Sequence, residues 1–464
     1  MSVAQPQWTP GTLAGGKPAY LAIADAIAAD IRLGRLGAQD QLPPQRFLAE
    51  AIGLNFSTIS RAYAEARRRG LIEARVGQGT FVRAAACPRP RSTGRDTATI
   101  DMSMNLPPEV DDPELLARME ATVAQLSADL PALLRYQHFG GGVEERRAAV
   151  QWLARRGLAA HVEQTLVCAG THSVLNALFF MLAPRGGTIC CDTLTYTGAR
   201  ALAAVHGITL LGLDGDDDGV TPQALEHACR TSTPAALYCN PTIQNPTTIT
   251  QSPARRHALV EVARRHRLPI IEDDVYGLLP EDPPPAYAQL APELTYYVGG
   301  LSKTLGAGLR LAFLVAPDPR NAARVAAILR ATTVMAAPLS TAIATEWIDN
   351  GTAAALVGFV RKESRARQQI AAAALAGIDY AASPDGFHLW LPLPDGWSRV
   401  GFAANLRDSG VGVVTSDAFL VGGTPTEAVR ICLGGTADRA QIRHALDLVA
   451  AALSQAPAIY SSVV

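Results

Sequence analysis

The chain has 464 residues, 48% of them apolar, enough to bury more than one core across about two to four domains. Its net charge of −1 is uneven: residues 1–100 carry 13 Lys+Arg against 7 Asp+Glu (+6), and the other 364 carry 28 against 35 (−7), which hints at an anionic partner for the amino-terminal part. Seven cysteines without a C-x-x-C pair, no signal-peptide pattern and no uncharged apolar run of about 18 residues argue against a disulfide framework, a zinc ribbon, secretion and a membrane span; a cytoplasmic protein without a metal site is expected.

The first elements are helical. "PAYLAIADAIAADIRLGR" (18–35) sets Ile23, Ile27 and Ile31 on one face. "PPQRFLAEAIG" predicts a short second helix, and "LNFSTISRAYAEARRRG" a third, with Ser57 as N-cap and Ile59 and Tyr63 one turn apart. "LIEARVGQGTFVR" alternates, breaks at Gly77 and Gly79 and resumes, which predicts a hairpin. Three helices and a hairpin describe a winged helix-turn-helix, whose third helix enters the major groove of a DNA duplex. Ser57, Thr58, Ser60 and Arg61 then suit base edges and phosphates; Arg46, Gly79 and Thr80 suit the backbone. The plainer alternative is a small helical domain whose arginines, Arg67–Arg69 included, form a solvated face.

The stretch "LPPQRFLAEAIGLNFSTISRAYAEARRRGLIEARVGQGTFV" closely resembles the GntR-type DNA-binding domain. One departure stands out: where that family often has Ser-Arg before the recognition helix, this chain has Asn55-Phe56. Residues 84–100, "AAACPRPRSTGRDTATI", lack periodicity and have a linker composition. The expected organisation is 1–83 DNA-binding, 84–103 linker and 104–464 a large domain.

From about residue 104 strands alternate with helices. "TLVCAG" leads into "THSVLNALFFMLA", and "GTICCD" into "GARALAAVHG" and "ITLLGLD". "AALYCN" precedes "SPARRHALVEVARRHR", with Ser252 as N-cap and Pro253 at the first helical position, then "LPIIEDD" and "LTYYVGG". This predicts a largely parallel sheet covered on both faces, with ligand groups beyond the carboxyl ends of its strands.

Several chemically active residues fall at those ends. Gly170-Thr171-His172 marks a strand-to-helix turn suited to a phosphate. Asp273 closes a strand, with Tyr276 just beyond, and Asn245 lies in "QNPTT". Lys303, one of three lysines with Lys17 and Lys362, follows a strand in "GGLSKTLGAGLR", and Arg310 opens the next strand. A lysine amine, an aspartate for a pyridinium nitrogen and a phosphate cradle are what pyridoxal 5′-phosphate requires. Taken singly, a cap, a turn or a surface lysine explains each residue as well; together and in this order they favour the cofactor.

"QNPTT", "EDDVYG" and "GGLSKTLGAGLR" resemble, in order and spacing, the three principal motifs of fold-type I aminotransferases. The resemblance implies an α/β fold-type I domain after the winged helix-turn-helix. It implies Lys303 as the Schiff-base lysine, Asp273 as the pyridine-nitrogen partner, and Asn245 and Tyr276 near the 3′-oxygen. It further implies a phosphate site of Arg310, Gly170, Thr171 and His172, with Ser302 beside the lysine, and Tyr196 stacked on the ring. Tyr136 matches a tyrosine that reaches the phosphate from a neighbouring subunit, and Arg430 in "AVRICLGG" matches an arginine that clamps a substrate carboxylate. For Arg430 the ordinary alternative is a strand-edge arginine; for the tyrosines it is packing. Three positions depart from the family pattern: Gly300 replaces a serine phosphate ligand, Thr248 the glycine after "NPT", and Ala307 a frequent proline before Gly308.

Both halves in this order resemble the MocR subfamily of GntR-type transcription regulators. That implies a homodimer with exchanged DNA-binding parts, which senses the cofactor or an amine or amino acid and changes its hold on DNA. Two other readings stay open: a working aminotransferase with an accessory DNA-binding domain, and a regulator responding to the cofactor alone.

Overall fold

The structure, a computed structural model, describes residues 8–11, 18–32, 35–37, 40–69, 71–75, 79–82, 99–183 and 186–454. The chain divides into two compact units, Met1–Asp96 and Thr97–Val464. The expected linker lies outside the described residues as far as residue 98, as do Lys17, Gly77 and Cys87.

In the smaller unit the helices are α1 (Ala19–Arg32), α2 (Gln45–Ala51) and α3 (Phe56–Arg68). The strands are β1 (Gln41–Leu42), β2 (Ile72–Arg75) and β3 (Gly79–Val82), in antiparallel order β1-β3-β2. The predicted apolar stripe works as expected. Ile23 and Ile27 are fully buried with Leu48, Ile59, Tyr63, Ile72 and Val82, and Ile31 packs against them. Each such side chain contributes about 1.5–3 kcal/mol of burial. The Tyr63 hydroxyl donates to the Pro43 carbonyl at 2.8 Å, which ties α3 to the chain before α2. The start of α3 differs from the sequence expectation: Asn55 occupies the N-cap, Phe56 opens the helix, and Ser57 sits in its first turn.

The larger unit is built on a seven-stranded sheet in the order 165–168, 312–315, 295–300, 270–273, 236–239, 188–192, 209–213. All neighbours run parallel except Ala312–Val315, which is antiparallel to both of its partners. The strands are continuous apolar runs because helices cover both faces. Ser252 caps Pro253–His266 as predicted, its hydroxyl accepting from Arg255 N at 3.2 Å. Arg310 does not open a strand; it lies two residues before Ala312–Val315 in a left-handed turn (φ +52°).

A second, four-stranded antiparallel sheet was not anticipated. Its strands are Ala381–Ala382, His388–Pro392, Ala428–Cys432 and Val414–Thr415. The chain enters this unit earlier than the expected boundary of 104. Ile100–Asp101 is a strand paired in parallel with Val411–Gly412, so the supposed linker residues 99–103 belong to the unit. Among the described residues, no helix is long and apolar enough to cross a membrane.

Candidate ligand cavity and nucleic-acid interface

The strand Thr295–Gly300 is buried throughout and ends in a tight turn, Leu301–Lys303, that delivers the lysine to a cavity of about 340 Å³. Gly300 is needed there. A Cβ at that position would lie 2.5 Å from Thr171 Oγ1 and 2.6 Å from Val275 Cγ1, so the Thr171 hydroxyl stands where a serine side chain would begin. Lys303 Nζ donates to the Asn105 carbonyl and lies 5.9 Å from the centre of the Tyr276 ring. Burial pulls its amine down to about 8; Cys432 and Asp273 oppose this and Arg430 reinforces it.

The strand Ile270–Asp273 and the residue after it present three acids, and the structure separates their tasks. Glu272 accepts from the backbone N–H groups of Tyr287 and Ala288, both at 2.9 Å. Asp274 forms a buried ion pair with Arg156 at 2.7 Å. Asp273 alone of the three lines the cavity. Its Oδ2 accepts from the Tyr238 hydroxyl at 2.9 Å, while its Oδ1 is buried with no partner among the described residues. Burial pushes the Asp273 carboxyl up to about 7, with the Tyr238 bond opposing and Asp274 assisting.

On the opposite wall, Gly170 (φ +82°) precedes the twelve-residue helix Thr171–Leu182, whose amino terminus opens on the same cavity. That φ favours glycine. His172 Nε2 shares a 2.8 Å hydrogen bond with the Tyr196 hydroxyl, the two rings edge to face at 5.6 Å. Burial, helped by Arg310, lowers the His172 pKa. Arg430 comes from the buried strand Ala428–Cys432 of the second sheet. Its Nη1 donates to Asn245 Oδ1 at 2.7 Å and its Nη2 to the Ser103 carbonyl at 2.6 Å; its Nε is buried with no partner among the described residues.

The cavity thus brings together Lys303, Asp273, Tyr276, Asn245, Arg310, Gly170, Thr171, His172, Tyr196, Ser302 and Arg430. Tyr136 is not among them: it is 81% exposed in the single chain and touches no part of this cavity. Sequence reading missed Asn105, whose Nδ2 donates to the Tyr276 hydroxyl at 2.8 Å. It also missed Asn240, which donates to the Asp273 carbonyl at 2.5 Å and accepts from Asn245 N at 2.9 Å. The first Asn-Pro of "NPTIQNPTT" was the available signal for Asn240.

In the smaller unit the first turns of α3 carry Ser57, exposed, and Thr58 and Ser60, half-buried. Arg46 is exposed on α2, Gly79 (φ +118°) opens β3 and Thr80 follows it half-buried. Arg61 is exposed, with its guanidinium 4.4 Å over the Tyr20 ring. Arg68 and Arg69 both pair with Glu65, and Arg69 also with Asp25, so these two belong to a solvated ion-pair face.

Residues 19–82 match the family described as bacterial regulatory proteins, gntR family, and residues 99–449 match aminotransferase class I and II. The HTH-type transcriptional regulator YdeF of Bacillus subtilis is 30% identical over 427 residues, 91% of this chain and 92% of that protein. The chain belongs to the MocR subfamily of GntR-type regulators. A second relative of this MocR-type chain is PtsJ of Salmonella typhimurium, described as a vitamin B6 salvage pathway transcriptional repressor, 28% identical over 89% of this chain and 93% of that one. The aminotransferase fold is shared with LysN of Thermus thermophilus, complexed with N-(5'-phosphopyridoxyl)-L-leucine, at TM-score 0.70 and 23% identity over 77% of this chain and 92% of that one.

The cavity's donor set fits pyridoxal 5′-phosphate, the cofactor of that fold. The unpartnered Asp273 Oδ1 is a buried acceptor, which a ring N–H would satisfy. The Thr171 hydroxyl, Arg310 and a helix amino terminus line the same cavity, donors of the kind a phosphate requires. At Gly300, where the family pattern has a serine, the Thr171 hydroxyl occupies the space a side chain would need.

Proposed function

We propose that this regulator holds pyridoxal 5′-phosphate at Lys303, reads an amino acid or amine through it, and changes its grip on a DNA operator in response. The observation carrying this reading is that Lys303 and Arg430 line one cavity and are both hydrogen-bonded to one short segment, at Asn105 O and Ser103 O. A ligand amine would act at the lysine end, and a carboxylate would take the two-point contact at the arginine.

When bound, the cofactor supplies an aldehyde that exchanges amines and a ring that withdraws electrons. The chain does the rest. Lys303, with its lowered pKa, offers an unprotonated amine near pH 8. Asp273 would hold a proton at the ring nitrogen. Asn245 and Tyr276 would serve the 3′-oxygen, Tyr196 would stack on the ring, and Arg310, Ser302, Gly170, Thr171 and His172 would hold the phosphate. Tyr136, exposed and away from its own chain's cavity, suits a role in a neighbouring subunit's site, and a homodimer with exchanged DNA-binding parts is the assembly proposed. On DNA, Ser57, Thr58, Ser60 and Arg61 face the major groove while Arg46, Gly79 and Thr80 take phosphates. The effector acts only by binding one arrangement of the larger unit better than another.

The test is a spectral titration of cofactor-loaded protein with amino acids and polyamines, run beside a DNA-binding assay. The reading expects a ligand that shifts both. Robust steady-state transamination without any change in DNA binding would favour the enzyme instead. The name of PtsJ supports a second reading, in which the cofactor alone is the effector; loading would then change DNA binding and no amine would add to it.

A further inference from the structure

Asn105 is held at both ends. Its carbonyl accepts from Lys303, its side-chain Nδ2 donates to the Tyr276 hydroxyl at 2.8 Å, and it is 8% exposed. The segment carrying it is anchored as well, since Cys432 N donates to the Met102 carbonyl at 2.8 Å and Arg430 to the Ser103 carbonyl at 2.6 Å. Tyr276 is equally fixed, its ring fully buried against Phe387 and His388. A hydroxyl whose oxygen accepts from an amide N–H keeps its own proton free for another acceptor, and the accepted bond makes it a stronger donor.

We propose that Asn105 is a positioning residue: by donating to the Tyr276 oxygen it turns the Tyr276 proton into the cavity, toward an oxygen of the bound ligand. This rests on the cofactor reading above, under which that oxygen is the ring's 3′-oxygen. The titratable or charged groups around Tyr276 are Lys303, Asp273, Tyr196, His388, Cys432 and Arg430, and none of them is hydrogen-bonded to its hydroxyl among the described contacts. Asn105 is therefore what sets the direction of the hydroxyl. A donor aimed at the 3′-oxygen stabilises its ionised form and lowers the pH at which the loaded protein's visible absorbance titrates.

The experiment loads wild type, Asn105→Leu, Asn105→Ala, Tyr276→Phe and the Asn105→Ala/Tyr276→Phe double variant with pyridoxal 5′-phosphate. Absorbance above the protein band is titrated against pH, and the cofactor Kd is measured for each. Asn105→Leu keeps the branching and removes the donor; Asn105→Ala covers the case where leucine fails to fold. Both are expected to raise the midpoint by about half to one pH unit. In the Tyr276→Phe background, Asn105→Ala is expected to add nothing, because the group it acts through is gone. A midpoint unmoved by either single variant, or an equal shift in both backgrounds, overturns the proposal. Absence of any visible absorbance from loaded wild type overturns the cofactor reading instead, so the two failures are distinct.

Discussion

Arg430 donates through Nη1 to the Asn245 side-chain oxygen at 2.7 Å, joining the second sheet to the loop that follows the strand Ala236–Cys239. Together with the Nη2 bond to the Ser103 carbonyl, this contact fixes the plane of the guanidinium, while Nε has no partner among the described residues. A carboxylate arriving in the cavity meets an oriented fork, which lysine cannot reproduce. Arg430→Lys is therefore expected to weaken binding of a carboxylate-bearing effector at least roughly tenfold, while the Kd for pyridoxal 5′-phosphate stays within about threefold. Calorimetry on the loaded protein separates the two. Equal loss of both ligands would mean that Arg430 serves the fold rather than the effector.

The lowered pKa of Lys303 makes a pH prediction with a definite sign. The reactive form is the neutral amine, so cofactor capture speeds up as pH rises. With a midpoint of about 8, the neutral fraction grows roughly tenfold between pH 7 and 9 and then levels off. An unperturbed lysine would gain nearly a hundredfold over the same range without a plateau. Stopped-flow absorbance on cofactor-free protein distinguishes the curves. Lys303→Ala is expected to give no visible absorbance at any pH; survival of that absorbance would remove Lys303 from the site.

What the sequence disclosed follows from distance along the chain. Lys303 and Asp273 were legible because each sits at or just past a strand's carboxyl end, where local pattern and topology agree. Asn105 was not: its partners Tyr276 and Lys303 lie 171 and 198 residues away, and no local pattern encodes that meeting. The second sheet was hidden because Ala381–Ala382 and Val414–Thr415 are two residues each, too short for alternation to register. Two residues of capping type, Asn55 and Ser57, lay two apart; the helix begins after the first, whose extended backbone makes it the N-cap without a side-chain capping bond. Thr248 was flagged as a departure from glycine, and it does adopt the left-handed backbone that glycine favours (φ +66°).

Gly300 permits a direct test of the proposed phosphate cradle. Restoring the family's serine places its Cβ against Thr171 and Val275 at 2.5 and 2.6 Å. Gly300→Ser is expected to cost about 1–3 kcal/mol in urea unfolding through overpacking, and to weaken cofactor binding as Thr171 is pushed aside. Adding Thr171→Ala should recover part of the stability. If Gly300→Ser instead bound the cofactor more tightly than wild type, Thr171 would not be the compensating ligand.

The arginines of the smaller unit divide by what already holds them. Arg68 and Arg69 are committed to Glu65 and Asp25, whereas Arg46 is exposed on α2 beside the reading helix. A phosphate contact releases counterions, so its loss shows in the salt dependence as well as the affinity. Arg46→Ala is expected to weaken binding to any duplex about three- to tenfold and to lower the slope of log K against log salt by about 0.9. Arg61→Ala should weaken binding similarly and also loosen α1, because it loses its place over Tyr20. Arg68→Ala is expected to change affinity less than about twofold. Fluorescence anisotropy at several salt concentrations measures all three. Were Arg68→Ala to cost as much as Arg46→Ala, the ion-pair face would be part of the DNA interface and the docking of α3 in the groove would need to be redrawn.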